Sequence, residues 1–559
     1  MSEPAGWEDV ALVAFETEGN QRYIFATNRL RENVGASEHI HRLGAVVAQG
    51  VRELDGPDLL GNMAASREID VVALLSPSRN PPIEQGKAFF EVITVGSGQA
   101  LVLARGVAEG RKLVAHVTGT FLERAPGLVV RGSVVELGDE PLHRCLRRAV
   151  RRRSEIAARA PAPELRFTRL PIVADCRYSG YPAMTIDPAA EGGEGAAVSA
   201  SSLAKSRAAA DALERLRRQL GDSGRLLPRN VTKLEEGLRG RRGEATWLGL
   251  VHADGNGLGQ VFLDFHHLAG ATAPEDRRRY VDTLRRFSAG IDLVAASAFR
   301  VAARRLLEHQ GPEDEALPLL PLIVGGDDLT VLLDGRQALA FAHDYLAALL
   351  RWPEGLDRAL EAAVSTVREV LGRAAERHGR RAELTACAGV AVVKPHYPFH
   401  AAYELAEDLL RSAKRHKPES ALDFQVLYDS TDARLAAVRG RLHRSLPDPR
   451  SLRLHARPYT LGEFGRFLGR LQQIRERGER AIPRSVLARL REAVTQGKEV
   501  ADARLTLELA RHGETFLGEL YPGSLFSSDG EGHPPVTDLL DLLEAAEVWD
   551  LPREGGGHG

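Results

Sequence analysis

The segment LPLLPLIVGGDDLTVLLD, residues 317–334, decides the fold. Its two apolar runs, 317–324 and 329–334, read as strands, and the four residues between them leave room only for a tight hairpin. Pro318 and Pro321 are expected to delay regular pairing of the first run. Working outward, TWLGLVHA at 246–253 is a buried strand, after which Phe287, Ile291, Val294, Ala298 and Val301 recur at helical spacing. Past the hairpin, Phe341, Tyr345 and Leu349 share one helix face, and LTACAGVAVV at 384–393 is a fourth strand. The order β-α-β-β-α-β is that of a ferredoxin-like split unit.

The same unit is written a second time in the N-terminal third. Phe15-Glu16-Thr17-Glu18-Gly19-Asn20 matches Val251-His252-Ala253-Asp254-Gly255-Asn256, an offset of 236 residues taking Glu18 to Asp254. VGSGQALVLA at 95–104 matches VGGDDLTVLL at 324–333, an offset of 229, and a helix is expected between them over 28–47. Where the second copy carries Asp327 and Asp328, the first carries Gly98 and Gln99. One copy keeps its acids and the other has lost them.

Composition bounds the rest. A chain of 559 residues has room for several cores, and a net charge of −2 excludes a polycation that coats nucleic acid along its whole length. Cys145, Cys176 and Cys387 stand far apart with no CxxC pair, which excludes a disulfide framework and argues against structural zinc. No uninterrupted apolar stretch reaches the roughly 18–20 residues of a membrane span, and the acidic N-terminus is not a signal peptide, so a cytoplasmic protein with no membrane partner is expected. The expected class is α+β, with two ferredoxin-like βαββαβ domains, a helical linker region and a C-terminal helical bundle. The first, degenerate copy occupies 1–140, the helical linker 141–245, the acid-bearing copy 246–425 and the C-terminal helical domain 426–559. The linker holds Arg/Ala/Leu-rich helices near 140–160 and 203–220 and a flexible PAAEGGEG loop at 188–195. In the last region Leu461, Phe464, Phe467, Leu468, Leu471 and Ile474 make one apolar stripe, and a disordered tail runs from 553 to 559.

Asp254 ends the first strand of the second copy, and Asp327 and Asp328 sit in its hairpin. The first and third strands of a split unit are central neighbours, so these carboxylates converge. Clustered carboxylates repel unless hard cations neutralise them, and Mg²⁺ (or Mn²⁺) takes such oxygen ligands together with substrate phosphates. Two such ions would hold a nucleoside triphosphate and activate an attacking 3′-hydroxyl. Gly325 and Gly326 permit the tight turn, and the DGNG run Asp254, Gly255, Asn256, Gly257 lets backbone N–H groups approach phosphates. Gly-Gly-Asp-Asp alone is an ordinary polar turn. Preceded by a strand-terminal DGNG in a matching element order, it is specific.

On these residues the second copy resembles the palm of nucleotidyl polymerases, adenylyl cyclases and diguanylate cyclases. It is most similar to the polymerase/cyclase-type large subunit of type III CRISPR effector complexes, which carries a GGDD hairpin. QRYIFATNRLRENVGAS at 21–37, ending in Ser37, resembles the opening of that family's first palm, and CRYSGYPA at 176–183 its inter-palm segment. AEDLLRSAK at 406–414 resembles the helix whose lysine, here Lys414, serves triphosphate binding, and ARPYTLGEF at 456–464 the start of the C-terminal helical domain. The resemblance implies condensation of ATP into cyclic oligoadenylates in antiviral defence, with guide and target RNA and other effector subunits as partners. Asp254, Asp327 and Asp328 are the catalytic expectation, with Gly255 joining them at the metals. Asn256, Gly257, Gly325, Gly326, Lys414, Ser37, Ser97 and Gly98 are the expected nucleotide-binding set. The alternatives are an RNA-binding scaffold with vestigial synthesis and a cyclase making another cyclic dinucleotide. The family's HD nuclease domain and cysteine zinc site are absent from the sequence, so neither DNase activity nor zinc is expected.

Other polar features have plainer readings. His343-Asp344 lies mid-helix, and Arg144, Arg147, Arg148, Arg151, Arg152 and Arg153 make a solvated helix face in preference to an RNA grip. His252 shares a strand face with Asp254 but packs or hydrogen-bonds nearby. His266, His267, His396 and His400 lack zinc partners.

Overall fold

Nine residues of alternating side chains begin the structure. In strand β1, Val10–Glu18, the even positions Val10, Leu12 and Ala14 enter one core while Val13 and Phe15 enter another. A strand buried on both faces must be central. The computed structural model describes residues 6–56, 59–60, 70–96, 98–187, 195–221, 247–308, 319–395, 397–428, 435–440, 443–444, 452–477, 482–512, 516–527 and 534–549. Residues 188–194 of the expected 188–195 loop and the tail at 553–559 lie outside the described residues, as do Ser97 and His396.

With β2 (Phe90–Gly96), β3 (Gln99–Arg105) and β4 (Val129–Glu136), β1 forms a four-stranded antiparallel sheet in the order β2-β3-β1-β4. A small hairpin, β5 (Thr185–Asp187) with β6 (Ala196–Val198), follows. The second sheet contains β7 (Leu248–Gly255), β8 (Leu319–Gly325), β9 (Asp328–Asp334), β10 (Ala386–Val393) and β11 (Ala421–Val426). Further along are the short β12 (His443–Arg444), β13 (Leu452–Arg453) and β14 (Tyr459–Thr460), the last of which joins the second sheet. Its order, β14-β11-β10-β7-β9-β8, contains β10-β7-β9-β8, the same neighbours as β4-β1-β3-β2. Both sheets therefore have the strand order that the βαββαβ reading requires. The second gains β11, parallel to β10, and β14 from beyond the segment whose pattern was legible.

The duplication extends to an irregularity. Opposite β3, strand β2 carries one extra residue, Ile93; opposite β9, strand β8 carries Leu322, and the two lie 229 residues apart, the offset of the hairpins. A bulge adds twist and leaves backbone groups outside the ladder. Each is served by a side chain from elsewhere. Asn80 and Arg285 donate to the Val92 carbonyl, and Ser37 donates to the Leu322 carbonyl. Pro321 sits in the edge strand β8 opposite Val331, where a missing donor costs nothing in the ladder.

The helix expected over 28–47 is two helices, Leu30–His41 and Leu43–Leu54, broken at Arg42. The helix Ala200–Leu220 packs along the first of them, whereas Leu142–Arg159 lies directly on β1 and β4 of the first sheet. A 32-residue helix, Arg277–Glu308, runs past both β2 and β8. Phe287, Ile291, Val294 and Ala298 of its apolar stripe are buried, whereas Val301 faces outward at 41% exposure. In the helix Leu461–Arg477, the first long helix of the C-terminal region, Phe464, Phe467 and Leu471 enter the core that also holds Phe424 of β11. Among the described residues no helix is long and apolar enough to cross a membrane.

Candidate active site

Register brings the acids together. Ala253 stands opposite Leu329 and Gly325 opposite Asp328, so the next step along β7 sets Asp254 beside Asp328. A Cβ on Gly255 would come within 2.6 Å of the Asp327 Cβ, so the missing side chain is what seats Asp327 against the strand end. Gly326 has φ +63°, the left-handed conformation that glycine adopts freely, and this closes the two-residue turn.

The carboxyls here resist ionisation. Burial, followed by the neighbouring Asp327, pushes Asp328 up to about 7, and burial also raises Asp327. The Asp328 side chain is open on its cleft side while protein crowds the others; the upward direction follows from that crowding and from the adjacent like charge. The Lys414 ammonium contacts Asp254, and burial, then Lys417, brings it down to about 8. Lys414 caps the helix Phe399–Ala413, whose apolar face lies on β10 and aims the helix end at Asp254.

Asp254, Asp328, Gly325, Lys414 and Ser37 share one cleft of about 370 Å³, which Asn20, Gln21 and Arg215 close from the side of the first sheet. A larger cavity of about 1160 Å³ lies elsewhere and carries none of the three acids. The cleft is therefore a joint product of both copies and of the linker helix Ala200–Leu220, which supplies Arg215. Sequence reasoning missed Arg215, because one arginine in an Arg-rich helix gives no signal; it is buried in an ion pair with Glu38 at 2.9 Å. It also missed Asp292, whose Oδ1 accepts from the Gly326 N–H at 2.6 Å and so ties the hairpin to the long helix. Burial raises Asp292 to about 6. A carboxylate beside an apolar stripe, one heptad after Arg285, was the available clue.

Several expected nucleotide contacts are placed otherwise. Asn256 is 2% exposed and its amide donates to the Glu419 carbonyl at 2.9 Å, so it braces two loops instead of facing the cleft. Gly257, at φ +68°, starts the helix Leu258–Leu263, and its carbonyl accepts from Arg380 at 2.9 Å. The Ser37 hydroxyl lines the cleft but is committed to the β8 bulge. Gly98 is buried beneath Asn20 and Ile40, and a Cβ there would lie 2.4 Å from Thr17 Oγ1. It is a close-packed turn and not a wall of the cleft.

Sheet register also revises the internal repeat. Glu16 stands opposite Gln99, and Gln99 stands opposite Gly96 as Asp328 does opposite Gly325. The position equivalent to Asp254 is thus Glu16, not Glu18. Glu16 pairs with Arg153, and Glu18 pairs with Arg131 at 2.7 Å. His252 is buried among Thr330 Oγ1 at 2.9 Å and the Tyr403 hydroxyl at 3.3 Å, and burial lowers it to about 4, so it stands neutral behind Asp254. His343-Asp344 lies within the helix Ala338–Leu349, where Asp344 pairs with Arg305 at 2.7 Å. Among the described residues, no three His, Cys, Asp or Glu side chains are close enough to hold a metal ion in this conformation.

A scan against protein families finds no match, and a search of curated proteins finds none. Solved structures do resemble the chain. Csm1 of T. onnurineus superposes with a TM-score of 0.51 at 13% identity, over 96% of this chain and 70% of that one. The Csm1-Csm4 cassette in complex with cA4 gives 0.48 at 13% identity over 96% and 70%. The Csm1-Csm4 subcomplex in the type III-A CRISPR-Csm interference complex gives 0.47 at 12% over 98% and 71%. The fold is Csm1-like along nearly the whole chain, in keeping with the resemblance to the type III large subunit.

Proposed function

We propose that this protein is a nucleotidyltransferase that condenses ATP into cyclic oligoadenylates as a subunit of a type III CRISPR-like defence complex, with RNA and other effector subunits as partners. The observation that carries this reading is the placement of Asp254 and Asp328 side by side on adjacent strand ends in a cleft that both copies enclose, with Asp327 next to them in the turn and seated against Gly255. The Csm1-like fold supports it.

The donor set suits two divalent cations, Mg²⁺ or Mn²⁺. Three carboxylates supply hard oxygen ligands, Asp328 is held up to about 7 by burial and then by the neighbouring Asp327, and the Lys414 ammonium already occupies Asp254 as a cation would. When bound, the ions supply Lewis-acid stabilisation of the triphosphate and lower the pKa of the attacking 3′-hydroxyl. Lys414, displaced from Asp254, pairs with the triphosphate, and Arg215 adds positive charge on the opposite wall. The Asp292 bond to Gly326 holds the hairpin so that Asp327 and Asp328 keep their places. Asn20, Gln21 and Ser37 line the cleft from the side of the first copy. His252, neutral and engaged on both ring nitrogens, takes no proton in this scheme.

Mass spectrometry of products formed from each nucleoside triphosphate with Mg²⁺ or Mn²⁺, with and without RNA and partner subunits, tests the proposal. Cyclic oligoadenylate from ATP is the expected result. Phosphodiester product from no triphosphate under any of these conditions would overturn it, and a cyclic dinucleotide would correct the product while keeping the chemistry.

A further inference from the structure

The cavity of about 1160 Å³ lies on the far side of the turn that carries Lys414, between the helix Phe399–Ala413, the segment around β13 and β14, and the helix Leu461–Arg477. Three guanidiniums on its lining, Arg415, Arg453 and Arg466, have no carboxylate partner among the described residues. Arg415 reaches only the Ser412 hydroxyl at 3.0 Å, and Arg453 only the Arg457 carbonyl at 3.2 Å. The lining carboxylates are already engaged. Asp408 pairs with Arg411 at 2.6 Å, Asp538 with Arg470, and Glu463 accepts from the Thr460 N–H and hydroxyl at 2.9 and 2.7 Å. Deeper in, Arg439 is 8% exposed and bound to Asp423, yet its Nε–H has no acceptor; Arg470 likewise leaves Nε and Nη2 without one among the described residues. Buried donors of this kind are seldom left unsatisfied.

We propose that this cavity binds the phosphodiester backbone of a short oligonucleotide, separately from the carboxylate cleft. Guanidinium forks match phosphate oxygens in pairs, and three of them spread around a space about three times the volume of the cleft suit several phosphates rather than one. The aromatic side chains of the wall, Tyr459 and Phe467, are 6% and 2% exposed and offer no platform for a base, so recognition runs through the backbone and tolerates any sequence. The inference does not depend on catalysis at Asp254.

Fluorescence anisotropy of the full-length protein with a labelled ten-nucleotide oligoadenylate RNA, titrated with salt, tests it. The expected log–log salt slope is about −2, from three phosphate contacts at about −0.7 each on a single strand. Arg415→Gln/Arg453→Gln/Arg466→Gln is expected to weaken binding at least about tenfold and to flatten that slope, whereas Asp327→Asn/Asp328→Asn leaves it unchanged. Arg466→Gln alone, at an exposed position that places no demand on folding, should reduce the slope by about 0.7. Competition by unlabelled triadenylate at comparable affinity would identify a ligand the size of the protein's own product, and competition only by the ten-mer a strand supplied from outside. Wild-type affinity in the triple variant, or no binding of either probe at low salt, would overturn the proposal.

Discussion

The two sheets share strand order, hairpin length and even the position of a bulge, yet their hairpins serve opposite ends. In the second sheet the hairpin sets Asp328 in a cleft with Asp327 beside it, and Asp292 holds the turn through the Gly326 N–H. In the first, Gly98 packs beneath Asn20 and its carbonyl accepts from the Thr17 N–H at 2.8 Å, so the turn is a closed structural corner. The same backbone frame thus yields a group of acids that repel one another in one copy and a satisfied turn in the other.

The comparison breaks most directly if the acids are dispensable. Asp327→Asn with Asp328→Asn keeps the hairpin shape but removes the charge that recruits cations, so product formation should fall by more than about 100-fold. Activity within a few-fold of wild type, read by chromatography of labelled products, would remove the asymmetry between the copies. Next comes the anchor. Asp292→Ala deletes a hydrogen bond from a charged acceptor, worth about 1.5–3 kcal/mol, and should lower turnover roughly tenfold, with Asp292→Asn recovering most of it by keeping the acceptor oxygen. Equal losses in both variants would mean that Asp292 acts through its charge and not as a positioning residue.

Stability should move the other way. Asp328 is raised in the folded state to about 7, so folding favours its protonated form. That contribution is fully present below the usual carboxylate pKa and is lost as pH rises through about 7. Asp328→Asn should therefore melt about 2–4 °C above wild type at pH 8, converge with it near pH 4, and lose the advantage when Mn²⁺ is added. A variant less stable than wild type at pH 8 would show that the carboxylate is not under repulsion. The smallest effects belong to the first copy. Glu16→Gln and Glu18→Gln each touch a partly exposed ion pair with an arginine and should change activity by no more than roughly twofold. A loss from Glu16→Gln comparable to that of the second-copy acids would give the first sheet a chemical role that its register alone does not.

Much of this was legible in the chain. Turn chemistry and alternation are local properties, so the strands flanking Gly325–Asp328, the repeat near residue 95 and the apolar stripe of the C-terminal helix could be read directly. Sequence similarity placed Glu18 opposite Asp254, however, because Asp-Gly-Asn and Glu-Gly-Asn look alike. Backbone pairing moved the equivalence by two residues to Glu16, since hydrogen-bond register and not side-chain likeness fixes which residues are neighbours. Asn256 looked like a phosphate contact for the same reason and proved to be a buried brace.

By itself, then, the sequence determined the two βαββαβ units and the three acids of the second, because hydrophobic period and glycine-rich turns act over a few residues. Only the tertiary structure decided that Ser37 of the first copy would take the carbonyl left by the β8 bulge, that Arg215 would line the cleft, that Asp292 would reach the hairpin, and that Lys414 would rest on Asp254. Each of these joins residues from 34 to 285 positions apart. Such contacts carry no local signature, because they form only where two packed sheets and the helices between them leave a polar group to be satisfied.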